Sequence, residues 1–381
     1  MRIGIIAEPL NQPFTGIATY TSNLIQDHRN ENENYDVFLI NYENNFPREA
    51  GQNVIVMPYN SFFKKISKSY LWYLTLPFRI RKYKDFDLIH CLAQYPLVIP
   101  FNRPRYIITV HDLIQLLSPK EVPLGSYLIR RIFLPHTLKQ ADCIITDANS
   151  TKRDIIELFN IPDTKIEVIP LAADEKFYPR DDEHIRTIRS RYGLVNPFIL
   201  YVGSMEPRKN IPSLIRAFLS IKQKGYPHDL VIAGKKSGKY KSIYNLIDSL
   251  NLSREVKLLG YVPDDDLPGL YSAAEVFVYP SFYEGFGLPP LEAMSCGCPV
   301  IAANTSSLPE VVGDAGILVN PRSVSEISNA ISNVLEDRVL REKLKNRGLI
   351  RAQTFCWEKC ITSTNRLYRD ILSNDKGFRE G

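Results

Sequence analysis
AEVFVYPSFYEGFGLPPLEAMSCGCPV, residues 274–300, decides the fold. It opens on Val276–Tyr279, an apolar run without polar alternation, which reads as a strand covered on both faces. A turn containing Gly285 and Gly287 follows, and then LPPLEAMSCG, whose apolar residues have helical spacing. The same alternation recurs outward in both directions. RIGIIAE, DVFLI, NVIVMP, DLIHC, RYIITV, DCIIT and KIEVIP read as strands before it, FILYVG, DLVIAG and VKLLG nearer to it, and PVIAA and GILV beyond it. Strands alternating with helices imply α/β architecture with parallel sheets covered on both faces. The stretch 170–197 is charged, carries three prolines and lacks a strand, after which the alternation restarts. We therefore read two doubly wound, Rossmann-like domains, 1–170 and 171–356, facing across a cleft. The amphipathic C-terminal stretch, with Trp357, Ile361, Leu367 and Ile371, is expected to form a helix over 357–375 that packs back on the first domain. Ligands of such sheets bind beyond the carboxyl ends of the strands, so the turns after strands are the places to inspect.

Composition removes other classes. Among 381 residues, 47 Lys and Arg stand against 42 Asp and Glu, a net charge of +5, too balanced for a dedicated nucleic-acid binder. No apolar run approaches the ~20 residues that span a bilayer. MRIGIIAEPL has one Arg and a short apolar stretch, which does not fit a secretory leader, so the expected location is cytoplasmic, at most peripheral to the inner face of a membrane. The six cysteines lack zinc-ligand spacing and read as reduced, structural thiols.

Two strand-end turns carry the chemistry. YVGSMEPRKNIPSLI, residues 201–215, places Gly203 in a tight turn and Arg208 and Lys209 just before a helix, where anions are attracted. Past the 276–279 strand, Glu284 and Glu292 lie eight residues apart; a helix from Leu288 puts Glu292 one turn inside it and leaves the amides of Phe286, Gly287 and Leu288 unpaired. Carboxylates accept from sugar hydroxyls and amides donate to phosphate oxygens. Such a set suits a ligand with both.

The string E-G-F-G-L-P-P-L-E-A-M-S-C-G-C-P-V resembles the paired-glutamate signature of the retaining glycosyltransferases of family 4, the group 1 transferases. G-S-M-E-P-R-K-N is similar to the same family's diphosphate element, and residues 303–321 and 146–179 are similar to its neighbouring segments. The resemblance covers nearly the whole chain. It implies the GT-B fold, a nucleotide-sugar donor, a glycan or lipid-linked acceptor and no metal or other cofactor. By position it gives Arg208 and Lys209 the donor diphosphate, Glu292 the ribose, and Glu284 the hydroxyls of the transferred sugar. PFTGIATYTSNLI, around Gly16, resembles a phosphate-approaching turn of the mannose-transferring members, with Ala18 and Thr19 in place of their Gly and Arg. TVHDL resembles an element that sets its His beside the donor sugar, here His111. Tyr261 and Val262 are expected to border the nucleotide base. The mannose-type turn favours GDP-mannose; a UDP-sugar is the alternative. An epimerase of the same fold and a non-catalytic sugar-nucleotide sensor are the rivals from other classes.

Three further segments need a reading. Asp264, Asp265 and Asp266 contain D-x-D but precede LPGLYSAA and read as a helix N-cap. GKKSGKY, 234–240, is one residue short of a P-loop and reads as a basic loop. Residues 61–84 carry seven Lys or Arg, seven aromatics and no acid, a composition suited to an anionic membrane surface.

Overall fold
The computed structural model describes residues 2–11, 16–27, 36–41, 54–57, 76, 86–94, 104–118, 122, 124–235 and 240–373. The chain divides into two compact units, Met1–Leu171 with Trp357–Gly381, and Ala172–Cys356.

In the first unit β1 (Arg2–Ile6), β2 (Asp36–Asn41), β3 (Val54–Val56), β4 (Leu88–Cys91), β5 (Arg105–Val110), β6 (Cys143–Thr146) and β7 (Ile166–Val168) form one parallel sheet in the order β3-β2-β1-β4-β5-β6-β7. In the second, β8 (Phe198–Val202), β9 (Asp229–Ala233), β10 (Val256–Gly260), β11 (Val276–Tyr279), β12 (Val300–Ala303) and β13 (Ile317–Val319) form another in the order β10-β9-β8-β11-β12-β13. All these strands fall on the apolar runs read from the sequence. They hold because β4, β6, β9, β11 and β12 are buried along their whole length, so each apolar side chain finds a covered face. At ~25 cal/mol per Å² of apolar surface, burial of this kind is the main favourable term. The winding reverses between β1 and β4 in one sheet and between β8 and β11 in the other, the switch points at which doubly wound sheets bind ligands.

The helix Trp357–Ser373 belongs to the first unit. Its buried face is Cys360, Ile361, Thr364, Asn365, Tyr368 and Leu372, so Leu367 and Ile371, expected on that face, stand to its side. The reason is polar: the Tyr368 hydroxyl bonds His90 Nδ1 at 2.6 Å, and this buried pair sets the helix rotation. The charged linker contains a helix the sequence reading omitted, Asp182–Arg191, capped by the Asp181 carboxylate accepting from the His184 amide at 2.8 Å.

Candidate functional site
Register brings the second unit's residues together. β8 and β11 are parallel neighbours, with Ile199 opposite Val276 and Leu200 opposite Phe277, so the turns after them emerge side by side. From the first turn come Arg208 and Lys209, on a short 3-10 turn ending at Asn210. Asn210 takes a left-handed conformation at φ 56° and donates to the carbonyls of Pro280 and Pro321, at 3.1 and 2.6 Å, which pins one turn to the other. From the second turn comes Glu284.

These three side chains form a charge cluster. Lys209 Nζ donates to Glu284 Oε1 at 2.6 Å and to the Tyr279 hydroxyl at 2.5 Å. Arg208 donates to Glu284 Oε2 at 3.2 Å and to Glu206 at 2.9 Å, and Ser281 donates to Glu284 Oε1 at 2.5 Å. Burial alone would push the Glu284 carboxyl up, but the Lys209 and Arg208 charges beside it hold it below the usual carboxylate range. Lys209 goes the other way: burial, aided by Arg208, lowers it against the pull of Glu284. The sequence reading gave Glu284 to sugar hydroxyls alone. In the structure three groups already donate to its oxygens, leaving room for about one more donor of the four a carboxylate accepts, so its first physical task is to hold the two cations.

The helix Leu288–Ser295 starts where its sequence implied. Gly287 stands before it at φ 121°, and a Cβ there would meet Leu308 Cδ2 at 2.9 Å. Glycine is therefore required at this position. Among the described residues the amides of Phe286, Gly287 and Leu288 take no acceptor. The Phe286 side chain packs edge-on against Phe355, with ring centres 5.7 Å apart. Glu292, one turn into the helix, accepts from the buried Tyr271 hydroxyl at 2.9 Å through Oε2. Burial pushes its carboxyl up to about 7. Thus the two glutamates differ: Glu284 is ionised and bonded to cations, whereas Glu292 titrates near neutrality.

The floor beside this cluster is bare backbone. Gly203 and Gly234, after β8 and β9, approach so closely that a Cβ on Gly234 would lie 1.9 Å from the Gly203 carbonyl oxygen. After β10, Val262 is in the core while Tyr261 is 45% exposed, with the Lys235 ammonium 5.2 Å from its ring centre. Lys235 is a residue the sequence reading left in a plain basic loop; residues 236–239 of that loop lie outside the described residues. Asp266 occupies the N-cap position of the helix Leu267–Ala273, but its carboxylate does not cap it. It accepts instead from Arg191 and from the Tyr192 hydroxyl, and this pairing corrects the N-cap expectation. The cysteines are free thiols, and burial pushes those of Cys296 and Cys298 far up, which makes them poor nucleophiles.

In the first unit Gly16 is the first residue of the helix Gly16–Asp27 and is exposed. His111 directly follows β5 and is buried. Its Nδ1 bonds Asp147 Oδ2 at 2.7 Å, and its Nε2 donates to the Leu92 carbonyl at 2.9 Å. The sequence analysis missed Asp147, Tyr271 and Ser281. The segment 61–84 lies outside the described residues except for Leu76. No helix among the described residues is long and apolar enough to cross a membrane.

Comparison with known proteins agrees with this architecture. Residues 186–351 match the family model described as "Glycosyl transferases group 1", and residues 14–177 match "Glycosyltransferase Family 4". The O-antigen chain mannosyltransferase B of Escherichia coli is 34% identical over 97% of this chain and 100% of its own length. The serotype-specific mannosyltransferase WbdA of Escherichia coli is 35% identical over 76% of this chain and 37% of its own length. Among solved structures, the sucrose-phosphate synthase of Thermosynechococcus elongatus superposes with a TM-score of 0.78 at 23% identity, covering 98% of this chain and 100% of that one. At that identity the likeness concerns the fold, which is GT-B.

Proposed function
The chain belongs to the glycosyl transferases group 1, a glycosyltransferase of the GT-B fold, and from that premise we propose that it moves mannose from GDP-mannose to a glycan or lipid-linked acceptor hydroxyl with retention of configuration. The observation that carries this reading is the Arg208–Glu284–Lys209 cluster followed, two to four residues after Glu284, by three amides that take no acceptor among the described residues. A nucleoside diphosphate leaves with growing negative charge. Arg208, the remaining Nζ hydrogen of Lys209 and the amides of Phe286, Gly287 and Leu288 are donors of the kind that stabilise it. The acceptor oxygen bonds to C1 on the face from which the diphosphate departs. The C1–O bond to phosphate breaks, and the acceptor's proton passes to a phosphate oxygen of the leaving group. These donors stand in for a metal, so the reaction is proposed to be metal-independent.

Glu292 receives the ribose hydroxyls, Tyr261 and Val262 border the base, and His111 of the first unit serves the transferred sugar. Gly203 and Gly16 contribute close backbone approach to phosphate. Mannose is supported by the printed activities of the two Escherichia coli relatives, and a surface glycan by the O-antigen chain named for the first. A membrane-bound acceptor is supported by the helix Leu124–Gln140, which has no acid in its sequence and exposes Leu124, Leu128 and Ile132 at successive turns. The test is incubation with isotope-labelled GDP-mannose and a mannose-terminated oligosaccharide, read by NMR. An α-linked mannose product is expected. A β-linked product would overturn retention, and transfer from UDP-sugars but not GDP-mannose would overturn the donor.

A further inference from the structure
The Asp147 carboxylate is kept in an expensive place. It is 2% exposed at the C-terminal edge of the first sheet, and among the described residues its carboxylate has one hydrogen bond, in which Oδ2 accepts from His111 Nδ1 at 2.7 Å. Its Oδ1 is buried and has no hydrogen-bond partner among the described residues. A buried carboxylate kept for stability has both oxygens satisfied, because an unpaired one carries its desolvation cost uncompensated. This one is held for one neighbour.

That neighbour is placed by register. β5 and β6 are parallel with Val110 opposite Thr146, so the next residues, His111 and Asp147, leave the sheet side by side. The imidazole is fixed on its other sides too. Nε2 meets the Leu92 carbonyl at 2.9 Å, the Tyr20 ring stands edge-on with centres 5.1 Å apart, and Tyr20 is tethered in turn to Thr109. A carbonyl only accepts, so Nε2 carries a hydrogen. Nδ1 is then the nitrogen that must share its proton with a carboxylate. Burial would lower the His111 ring, and Asp147, by charge and hydrogen bond, more than offsets it, so the ring is raised above its ordinary value.

We infer that Asp147 is a positioning residue for transfer: its carboxylate accepts from Nδ1–H while Nε2 faces a carbonyl, so the ring is kept doubly protonated and Nε2–H is a fixed donor at the edge of the first sheet. The inference rests on the proposed role of His111 toward the transferred sugar. A sugar hydroxyl oxygen is the same kind of acceptor as the Leu92 carbonyl, so the donor occupied in the free protein becomes available by exchanging one acceptor for another. Without Asp147 the ring loses the acceptor at Nδ1 and the charge that favours its doubly protonated form, so Nε2–H becomes a neutral donor on a ring no longer anchored at Nδ1.

The test is a double-mutant cycle on the full chain, using Asp147→Ala, His111→Ala and the double variant, with mannosyl transfer as the readout and thermal unfolding and GDP binding as controls. Asp147→Ala is expected to lower kcat about ten- to a hundredfold with KM for the donor and GDP affinity near wild type. In the His111→Ala background the same change is expected to have no further effect within about twofold. An equal loss in both backgrounds would show that Asp147 does not act through His111 and overturns the inference. Nitrogen NMR of the histidine rings needs no variant to fold. The wild type should show both His111 ring nitrogens protonated, with the proton lost only above the pH at which a free ring titrates. A bare Nε2, or the same spectrum in Asp147→Ala, overturns the pairing. If His111→Ala transfers at the wild-type rate while the ring spectrum stands as expected, the assigned role of His111 fails rather than the pairing.

Discussion

Replacing Lys209 by Met would expose how the Arg208–Glu284–Lys209 charge cluster is built. Nζ loses its bonds to Glu284 at 2.6 Å and to Tyr279 at 2.5 Å, and the Glu284 carboxylate stays buried with Arg208 and Ser281 as its remaining side-chain partners. Removing one member of a buried ion pair costs about 3–5 kcal/mol, because the other charge is left uncompensated. For a unit of this size each kcal/mol moves the midpoint by about 2–4 °C, so Lys209→Met should melt roughly 6–20 °C below wild type. Adding Glu284→Gln removes the stranded charge. The double variant should then recover at least half of the loss, since a neutral amide can accept from Arg208 through its oxygen and donate to the Ser281 hydroxyl through its nitrogen. Calorimetric melting of wild type, both single variants and the double at pH 7 reads the coupling. A Lys209→Met midpoint within about 2 °C of wild type, or additive losses in the double, would refute the claim that Glu284 holds the cations in place. Activity is no substitute, because each variant also removes a group proposed to contact the donor.

Further outcomes follow from the same geometry. Glu292 titrates near 7 because it is buried, and ribose hydroxyls donating to its ionised form would lower that value. GDP should therefore release protons on binding below about pH 7 and bind more tightly as pH rises to that point, then level off; Glu292→Gln should flatten the profile in calorimetry. The same raised value means that ionising Glu292 costs folding free energy as pH climbs from the ordinary carboxylate range through about 7, so Glu292→Gln should raise the melting midpoint at pH 8 but not at pH 4. Transfer should persist in excess EDTA; loss on chelation restored by magnesium or manganese would contradict the metal-free donor set. Gly234→Ala should destabilise by about 3 kcal/mol or more, because its Cβ would fall 1.9 Å from a backbone oxygen; a wild-type melting curve would contradict the close approach. Sedimentation with phosphatidylglycerol vesicles at low salt should carry the protein down and weaken with salt, and replacing Leu124 and Leu128 with Gln together with Lys64, Lys65 and Lys68 with Glu should abolish it. Failure of the wild type to sediment points to a soluble acceptor.

The fold was legible because its strands are largely buried on both faces and are therefore mostly apolar, with polar residues such as His90 and Asp229 admitted only where they are hydrogen-bonded. The turns were legible because glycine and paired charges leave local marks. What sequence could not show is which turns share an edge. Asp147 and His111 are 36 residues apart and meet only through the pairing of β5 with β6. The Asp266 cap failed for a similar reason. Arg191 and Tyr192, more than 70 residues upstream, offer the carboxylate stronger partners than its own helix N-terminus. The rotation of the C-terminal helix was misread because apolar spacing marked Leu367 and Ile371, whereas a buried Tyr368–His90 bond decided the face. Glu284 was identified, but not its partners: spacing placed it in the loop, and only the packing of two turns made it a counter-ion.

The central claim is that the second unit binds a nucleotide sugar through its diphosphate. Titration calorimetry of the wild-type protein with GDP and with guanosine tests it most directly, since the two ligands differ only in that group. Two or more charge-assisted bonds at about 1.5–3 kcal/mol each predict that GDP binds at least a hundredfold more tightly than guanosine. Equal affinities for the two would contradict the account.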